Sequence, residues 1–263
     1  MPGPFNYDSI ADVYAGQIDN APYNALYERP AMLGVMPGVT GTRILDAGCG
    51  GGWYADQLLH RGADVDAVDG SAAMVEHARA RLASQVSESG EGRLSIQYAD
   101  LRNALPFADD RFDGIVSPLV LHYIEDWRPT LREFRRVLKP EGWLLFSTHH
   151  PATEMVRFGP QNYFKVEHVV DTWKWLGQVE FYRRPLTEIS ASLSDAGFVI
   201  ERLVEPIPTE EFRLVKPKSY AELMRQPEFL IVLARLPGVL IAGKARTDPV
   251  SPYQFERDHR GLR

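Results

Sequence analysis

Residues 43–71 read RILDAGCGGGWYADQLLHRGADVDAVDGS, and the fold is decided there. A short apolar strand, Ile44–Leu45, ends on Asp46, and glycines then stand at 48, 50, 51 and 52. A helical pattern follows in which Trp53, Ala55, Leu58 and Leu59 share one face. Beyond Gly62 a second strand, Ala63–Val68, closes on Asp69, with Gly70 and Ser71 just after it. The unit is β–loop–α–β with an acid at the end of each strand. Glycine lacks Cβ, so the backbone can turn sharply and approach a ligand closely. The helix start offers unpaired N–H groups and a positive dipole end, suited to a carboxylate or phosphate. An acid about 20 residues past the loop can accept both hydroxyls of a ribose. The unit predicts a site for an adenosine-containing cofactor.

The dinucleotide fingerprint G-x-G-x-x-G would need glycine at position 53, where Trp53 stands. That disfavours an NAD-linked oxidoreductase. The spacing present is D-x-G-x-G-x-G, Asp46 through Gly52. With it the chain resembles the class I S-adenosylmethionine (SAM)-dependent methyltransferases, in the branch of type 11-like bacterial enzymes acting on small molecules. The likeness covers residues 43–147, with four motifs in order. It implies a Rossmann-like, doubly wound α/β sheet of seven strands, the last antiparallel. It also implies a helical lid over 1–42, a SAM-binding core over 43–150, cap insertions after strands five and six within 151–235, and a tail over 236–263. The implied cofactor is SAM, leaving as S-adenosylhomocysteine. The implied contacts are the loop (Asp46, Gly48, Cys49, Gly50) at the methionine end and Asp69, Gly70 and Ser71 at the ribose. Asp100 is implied at the adenine amino group, Leu101 against the ring, and Met74 and Ser117 alongside.

Composition bounds the rest. The 263 residues suffice for one large domain or a core with a cap. With 44% hydrophobic and 24% charged residues the chain reads as an ordinary soluble globular protein. A net charge of −6 gives no electrostatic footprint for nucleic acid. One cysteine, Cys49, excludes an internal disulfide and a Cys-rich zinc site. No apolar run approaches a membrane span and the N-terminus has no signal-peptide core, which predicts a cytoplasmic protein.

The chain outside the first unit supplies the candidates for chemistry. FNYDSIADVYAGQ (5–17) reads as a short helix started by Asp8 or Ser9, followed by a second helix over about 24–36. The resemblance places tyrosines of this segment near the methionine tail or the substrate, with Tyr14 favoured over Tyr7. Ser71 is a fitting N-cap for a helix over 72–83. Leu94–Tyr98 reads as the third strand, followed by Asp100 and Leu101, and Phe112–Ser117 as the fourth. Ligands in open α/β sheets sit at the carboxyl ends of strands, which raises Ser117 and His122, the latter with core or capping histidine as its competing role. Leu121-His122-Tyr123 reads as the start of the next helix, and Arg128–Lys139 as a helix.

Trp143–Ser147 is the fifth strand, ended by Thr148-His149-His150-Pro151. Histidine is the side chain that titrates unperturbed near neutral pH. Strand alternation sends the two histidines to opposite faces, so they do not chelate one ion and no metal is expected. Pro151 restricts its predecessor, and on that ground His150 is expected to face the substrate as a base or positioner, with His149 structural. Residues 152–184 carry many aromatics, Trp173 and Trp175 among them, and read as a β-hairpin that serves as a satellite core, as a wall for a flat substrate, or as both. A helix over 187–196 and strands over 198–205 and 229–235 complete the pattern, with a short helix at 220–225.

The expected function is metal-independent methyl transfer from SAM to an N, O or C nucleophile of a small molecule, aromatic and anionic acceptors included. An RNA or protein substrate and a non-catalytic SAM-binding module are the alternatives. Against the first stands the absence of a basic tract, and of an Asn/Asp-Pro-Pro-Tyr run where Ser117-Pro118-Leu119 stands. The acceptor and the oligomeric state, monomer or homodimer, stay open.

Overall fold

The computed structural model describes residues 8, 11–84, 93–159, 162–173 and 176–238. Tyr7, Ser9, Trp175 and the tail from 239 onward, all read above from the sequence, lie outside the described residues. The chain begins with α1 (Ala11–Gln17), then a π-helical turn (Asn24–Glu28) running into α2 (Arg29–Val35). The first unit follows as β1 (Arg43–Ala47), α3 (Trp53–His60), β2 (Asp64–Asp69), α4 (Ala72–Arg81) and β3 (Leu94–Tyr98). β4 (Phe112–Pro118) leads through a 3-10 turn (Leu121–Tyr123) to α5 (Trp127–Val137), which passes directly into β5 (Leu138–His149). Then come α6 (Pro151–Phe158), the hairpin β6 (Glu167–Trp173) and β7 (Gly177–Arg183), α7 (Leu186–Asp195) and β8 (Val199–Val204). α8 (Glu210–Val215), α9 (Pro217–Leu223) and β9 (Phe229–Arg235) end the described chain.

Seven strands form one sheet in the order β3-β2-β1-β4-β5-β9-β8, and β6 with β7 forms a separate ribbon. β9 runs antiparallel to both neighbours, while the pairings from β3 through to β5 are all parallel. Alternate residues of each strand feed two cores. Leu45, Leu144 and Phe146 pack with Leu131 and Phe134 of α5 and Ile189 of α7 on one face. Ile44, Val65 and Leu145 pack with Leu58 of α3, Val75 of α4 and Met32 of α2 on the other. The strand order reverses between β1 and β4, so the crevice expected to hold a ligand opens beside these two carboxyl ends.

Several elements differ from the sequence reading, among them α8 (Glu210–Val215), which the sequence did not suggest, and α9, which spans Pro217–Leu223 rather than 220–225. Leu121–Tyr123 does not start the long helix: the 3-10 turn ends at Ile124, and Asp126 caps a separate α5 by accepting the Arg128 amide at 3.0 Å. β5 starts at Leu138 rather than at residue 143. Leu138 already pairs with Phe112, and the ladder resumes at Gly114 and Trp143 after a bulge. Glu141 enters that bulge at φ +65°, and a Cβ on Gly142 would lie 2.8 Å from the Lys139 carbonyl, so glycine is required at 142. Finally, Pro151 opens a helix, α6, where the sequence suggested only a strand end. Proline at a first helical position loses nothing, because its missing N–H would be unpaired there anyway.

Candidate active site

The loop after β1 is held from below. The amides of Gly48 and Cys49 both donate to the Val68 carbonyl, at 2.8 and 2.9 Å. Gly48, Gly50 and Gly52 all take positive φ, at 84°, 51° and 83°. Their surroundings differ. A Cβ on Gly48 would lie 2.4 Å from the Val120 side chain, and one on Gly52 3.1 Å from Ala78, so both are glycine for packing. A Cβ on Gly50 would meet nothing within 4 Å, and Gly50 lines the cleft. That open space is where a ligand can approach the backbone.

Asp69 closes the loop from the side. Its Oδ2 accepts the Gly50 amide at 2.8 Å and its Oδ1 the Ser71 amide at 2.9 Å. Each oxygen keeps lone-pair capacity for a further donor. Burial raises its carboxyl above the ordinary value, opposed by those two amides. Ser71 caps α4 as expected, its Oγ accepting the Met74 amide at 3.2 Å. Asp8 reaches the same point from the N-terminal segment, accepting from the Ser71 hydroxyl and from the Ala73 amide.

These residues line an open cleft. Of the residues singled out from the sequence, it gathers Tyr14, Gly48, Gly50, Asp69, Gly70, Ser71, Met74, Asp100 and Leu101. Asp100 is gripped by Arg102: the Nε lies 2.9 Å from Oδ1, Nη2 lies 2.5 Å from Oδ2, and the Arg102 amide adds a third contact. That grip holds the Asp100 carboxyl below its ordinary value. Tyr14 from α1 and Leu119, Val120 and Tyr123 after β4 line the same cleft. Leu119 stands at φ +52°, its amide held by the Ser147 carbonyl and hydroxyl, both at 3.0 Å. Burial and the nearby Tyr123 push the Tyr14 phenol far up, so it stays a neutral donor at ordinary pH.

Five sequence candidates are not in the cleft wall. Asp46 is fully buried at the base of the loop, and burial pushes its carboxyl up to about 8 against the opposing Ala55 amide. Cys49 is buried, with its thiol raised by that burial. Ser117 donates to the Ala47 carbonyl at 2.9 Å and so ties β4 to β1. His122 is enclosed, 2% exposed, with neither ring nitrogen hydrogen-bonded among the described residues. His150 turns away altogether: it caps α6, Nδ1 accepting the Ala152 amide at 3.2 Å, and Nε2 lies 2.9 Å from Glu205. Pro151 does fix its predecessor, but in the extended N-cap geometry (φ −81°, ψ 121°) rather than toward the cleft.

Two groups near the site went unread in the sequence. Glu28, 1% exposed, accepts from the Ser147 hydroxyl at 2.6 Å and the Tyr54 hydroxyl at 2.9 Å. Burial raises it to about 7, the two hydroxyls opposing. Arg184, 3% exposed, donates to the Ile124 carbonyl at 2.6 Å and stacks on Trp127 at 4.0 Å, with burial lowering it to about 10. Both join segments far apart in the chain, so no local pattern signals them. Among the described residues no group of three or more His, Cys, Asp or Glu is arranged to hold a metal ion, and no helix is long and apolar enough to cross a membrane.

Residues 45–146 match the family described as methyltransferase domain. Among solved structures, an S-adenosylmethionine dependent methyltransferase from Mesorhizobium loti is 30% identical, with a TM-score of 0.65, the match covering 83% of this chain and 99% of that one. A malonyl-[acyl-carrier protein] O-methyltransferase from Erwinia pyrifoliae is 41% identical over 106 residues, 40% of this chain and 37% of that protein. A demethylmenaquinone methyltransferase from Clavibacter sepedonicus is 39% identical over 130 residues, 48% of this chain and 49% of that protein. This chain thus spans less than half the length of these last two relatives.

Proposed function

The chain belongs to the class I SAM-dependent methyltransferases with SAM as cofactor, and from that premise we propose that it methylates a small molecule held between Tyr14 and Tyr123. The observation carrying this reading is one cleft lined by Asp69 and Asp100 together with two phenols, Tyr14 and Tyr123, and the apolar Leu119 and Val120. The space beside Gly50 and the spare lone pairs of Asp69 fit the cofactor. In this reading Asp69 takes the ribose hydroxyls, Asp100 and Leu101 meet the adenine, and Gly48 and Gly50 border the methionine end. Bound SAM supplies a methyl group already activated on a sulfonium. What the protein adds is positioning and the exclusion of water. Tyr14 and Tyr123 orient the acceptor, while Leu119 and Val120 keep the wall apolar.

The N-terminal segment 1–42 acts as the lid: Asp8 contacts Ser71 and Ala73, and Asp12 lies 2.9 Å from His77 on α4. In this reading residues 43–150 form the cofactor core, and 151–235 supply the cap insertions together with the C-terminal part of the sheet. A small acceptor accords with the relative named for demethylmenaquinone, while the other is named for malonyl-[acyl-carrier protein].

The test uses SAM carrying a labelled methyl group and the small-molecule fraction of a bacterial extract. Label should move into a small organic product, EDTA should leave the rate unchanged, and RNA and protein fractions should stay unlabelled. Tight binding of S-adenosylhomocysteine without any transfer would favour a non-catalytic module instead.

A further inference from the structure

Asp100 and Arg102 stand two residues apart after β3, and both line the cleft. The chain between them makes a tight turn. The Asn103 amide donates to the Asp100 carbonyl at 2.9 Å, and the Arg102 amide donates to Oδ1 of the Asp100 side chain at 2.9 Å. An aspartate that accepts the amide two residues on closes such a turn with its own side chain. The turn is anchored on α5, where the Thr130 hydroxyl, on a residue 1% exposed, donates to the Leu101 carbonyl at 2.8 Å. The carboxylate therefore stands on a fixed backbone.

The Arg102 guanidinium then closes on it. Nε lies 2.9 Å from Oδ1 and 3.1 Å from Oδ2, and Nη2 lies 2.5 Å from Oδ2. An ionised carboxylate offers about four lone-pair sites. Oδ1 meets two donors, the Arg102 amide and Nε, while Oδ2 takes Nη2 and only the longer arm of Nε. The spare capacity is thus on Oδ2. The same grip holds the carboxyl below its ordinary value, so at neutral pH it accepts and does not donate. For the fold the pair matters little: the Arg102 side chain is 46% exposed, and exposed ion pairs contribute little to stability.

We propose that Arg102 is a positioning residue that sets the base specificity of the cofactor site: by clamping Asp100 it leaves one directed acceptor, which takes a purine with a 6-amino group and rejects one with a 6-oxo group. This rests on the methyltransferase reading, in which Asp100 meets the adenine. A 6-amino group donates to Oδ2. A 6-oxo group sets acceptor against acceptor, and a polar site left unpaired by the wrong ligand discriminates strongly. Without the guanidinium fork the Asp100 side chain is free to turn toward water, and the amino purine loses its directed partner. The 6-oxo purine, which never used that partner, loses nothing.

The experiment titrates wild type, Arg102→Ala and Arg102→Lys by calorimetry with S-adenosylhomocysteine and with S-inosylhomocysteine, its 6-oxo analogue. Melting temperature is measured for each protein without ligand. Wild type should prefer the adenosyl ligand by at least about tenfold, the worth of one charged hydrogen bond. Both variants should melt as wild type does and keep their affinity for the inosyl ligand. They should lose most of the preference by binding the adenosyl ligand more weakly. Lysine keeps the charge without the two-toothed fork, so its variant separates positioning from charge. A variant that keeps the full preference, or that weakens both ligands alike, overturns the assignment. So does a wild type that binds both ligands equally, and the cofactor reading then survives. If wild type binds neither ligand, that reading falls and this inference falls with it.

Discussion

At the scale of single residues, the glycine loop separates two uses of the same amino acid. Gly48 is glycine because Val120 packs where its Cβ would be, at 2.4 Å, whereas Gly50 faces the cleft with nothing within 4 Å. Gly48→Ala should therefore overpack the loop and cost about 1–3 kcal/mol of stability, seen in a denaturant titration. Gly50→Ala should cost only the strain of a positive φ, about 1–2 kcal/mol, yet weaken S-adenosylhomocysteine in calorimetry. Unchanged affinity in Gly50→Ala would mean that the loop does not border the cofactor. Asp69→Ala removes two acceptors that fit ribose hydroxyls, each charged hydrogen bond being worth about 1.5–3 kcal/mol, so affinity should fall by at least about tenfold. The sequence made the glycine spacing and Asp69 legible because both belong to one local unit. The capping role of His150 was not legible there. Pro151 constrains a backbone dihedral, and whether its predecessor becomes a cap depends on whether a helix follows.

At the scale of elements, the N-terminal segment and the caps are joined to the core by buried ionisable groups, and each joint can be tested. Glu28 carries its carboxyl from the π-helical turn to Ser147 of β5, whose hydroxyl in turn holds the Leu119 amide. Burial raises Glu28 from 4.5 to about 7. Its proton is thus held by the folded chain at pH values where the unfolded chain has released it. The stabilising contribution is complete below about 4.5 and is lost as pH rises through about 7. Glu28→Gln should flatten the fall in unfolding free energy of the cofactor-free protein over that window. Asp46, raised to about 8, acts in the same direction and stays in the variant. An equal slope in wild type and Glu28→Gln would show that Glu28 is ionised in the folded protein throughout. Arg184, from the end of β7, pins the turn after β4 through the Ile124 carbonyl and the Trp127 ring. Arg184→Ala should cost about 1.5–3 kcal/mol for the charged hydrogen bond alone, read by denaturation, and should disturb the cleft at Tyr123. The strands were legible because apolar runs and alternation are local. The boundaries that moved, at residues 121, 138 and 151, are those set by a cap, a bulge and a proline whose partners lie elsewhere in the chain.

At the scale of the whole molecule, the sheet order explains why one ligand should stabilise nearly everything described. The cleft lies where β1 and β4 part, and its walls come from α1, the loop after β1, the ends of β2, β3 and β4, and the turn before α5. A ligand there bridges elements that otherwise meet only through the sheet. Anything that binds the folded chain alone raises stability by RT ln(1 + [L]/Kd), about 2.7 kcal/mol at a hundredfold excess over Kd. For a domain of this size each kcal/mol moves the melting temperature by roughly 2–4 °C. S-adenosylhomocysteine at that excess should therefore raise melting by roughly 5–11 °C. NAD at the same concentration should leave it unchanged, because Trp53 stands where a dinucleotide loop needs its third glycine. In Asp69→Ala the same ligand concentration should give most of that shift back, whereas His150→Gln, whose side chain caps α6 outside the cleft, should lower the starting melting temperature and keep the full shift. A shift lost in His150→Gln and kept in Asp69→Ala would put the cofactor on the wrong side of β5, and the cleft would need another ligand.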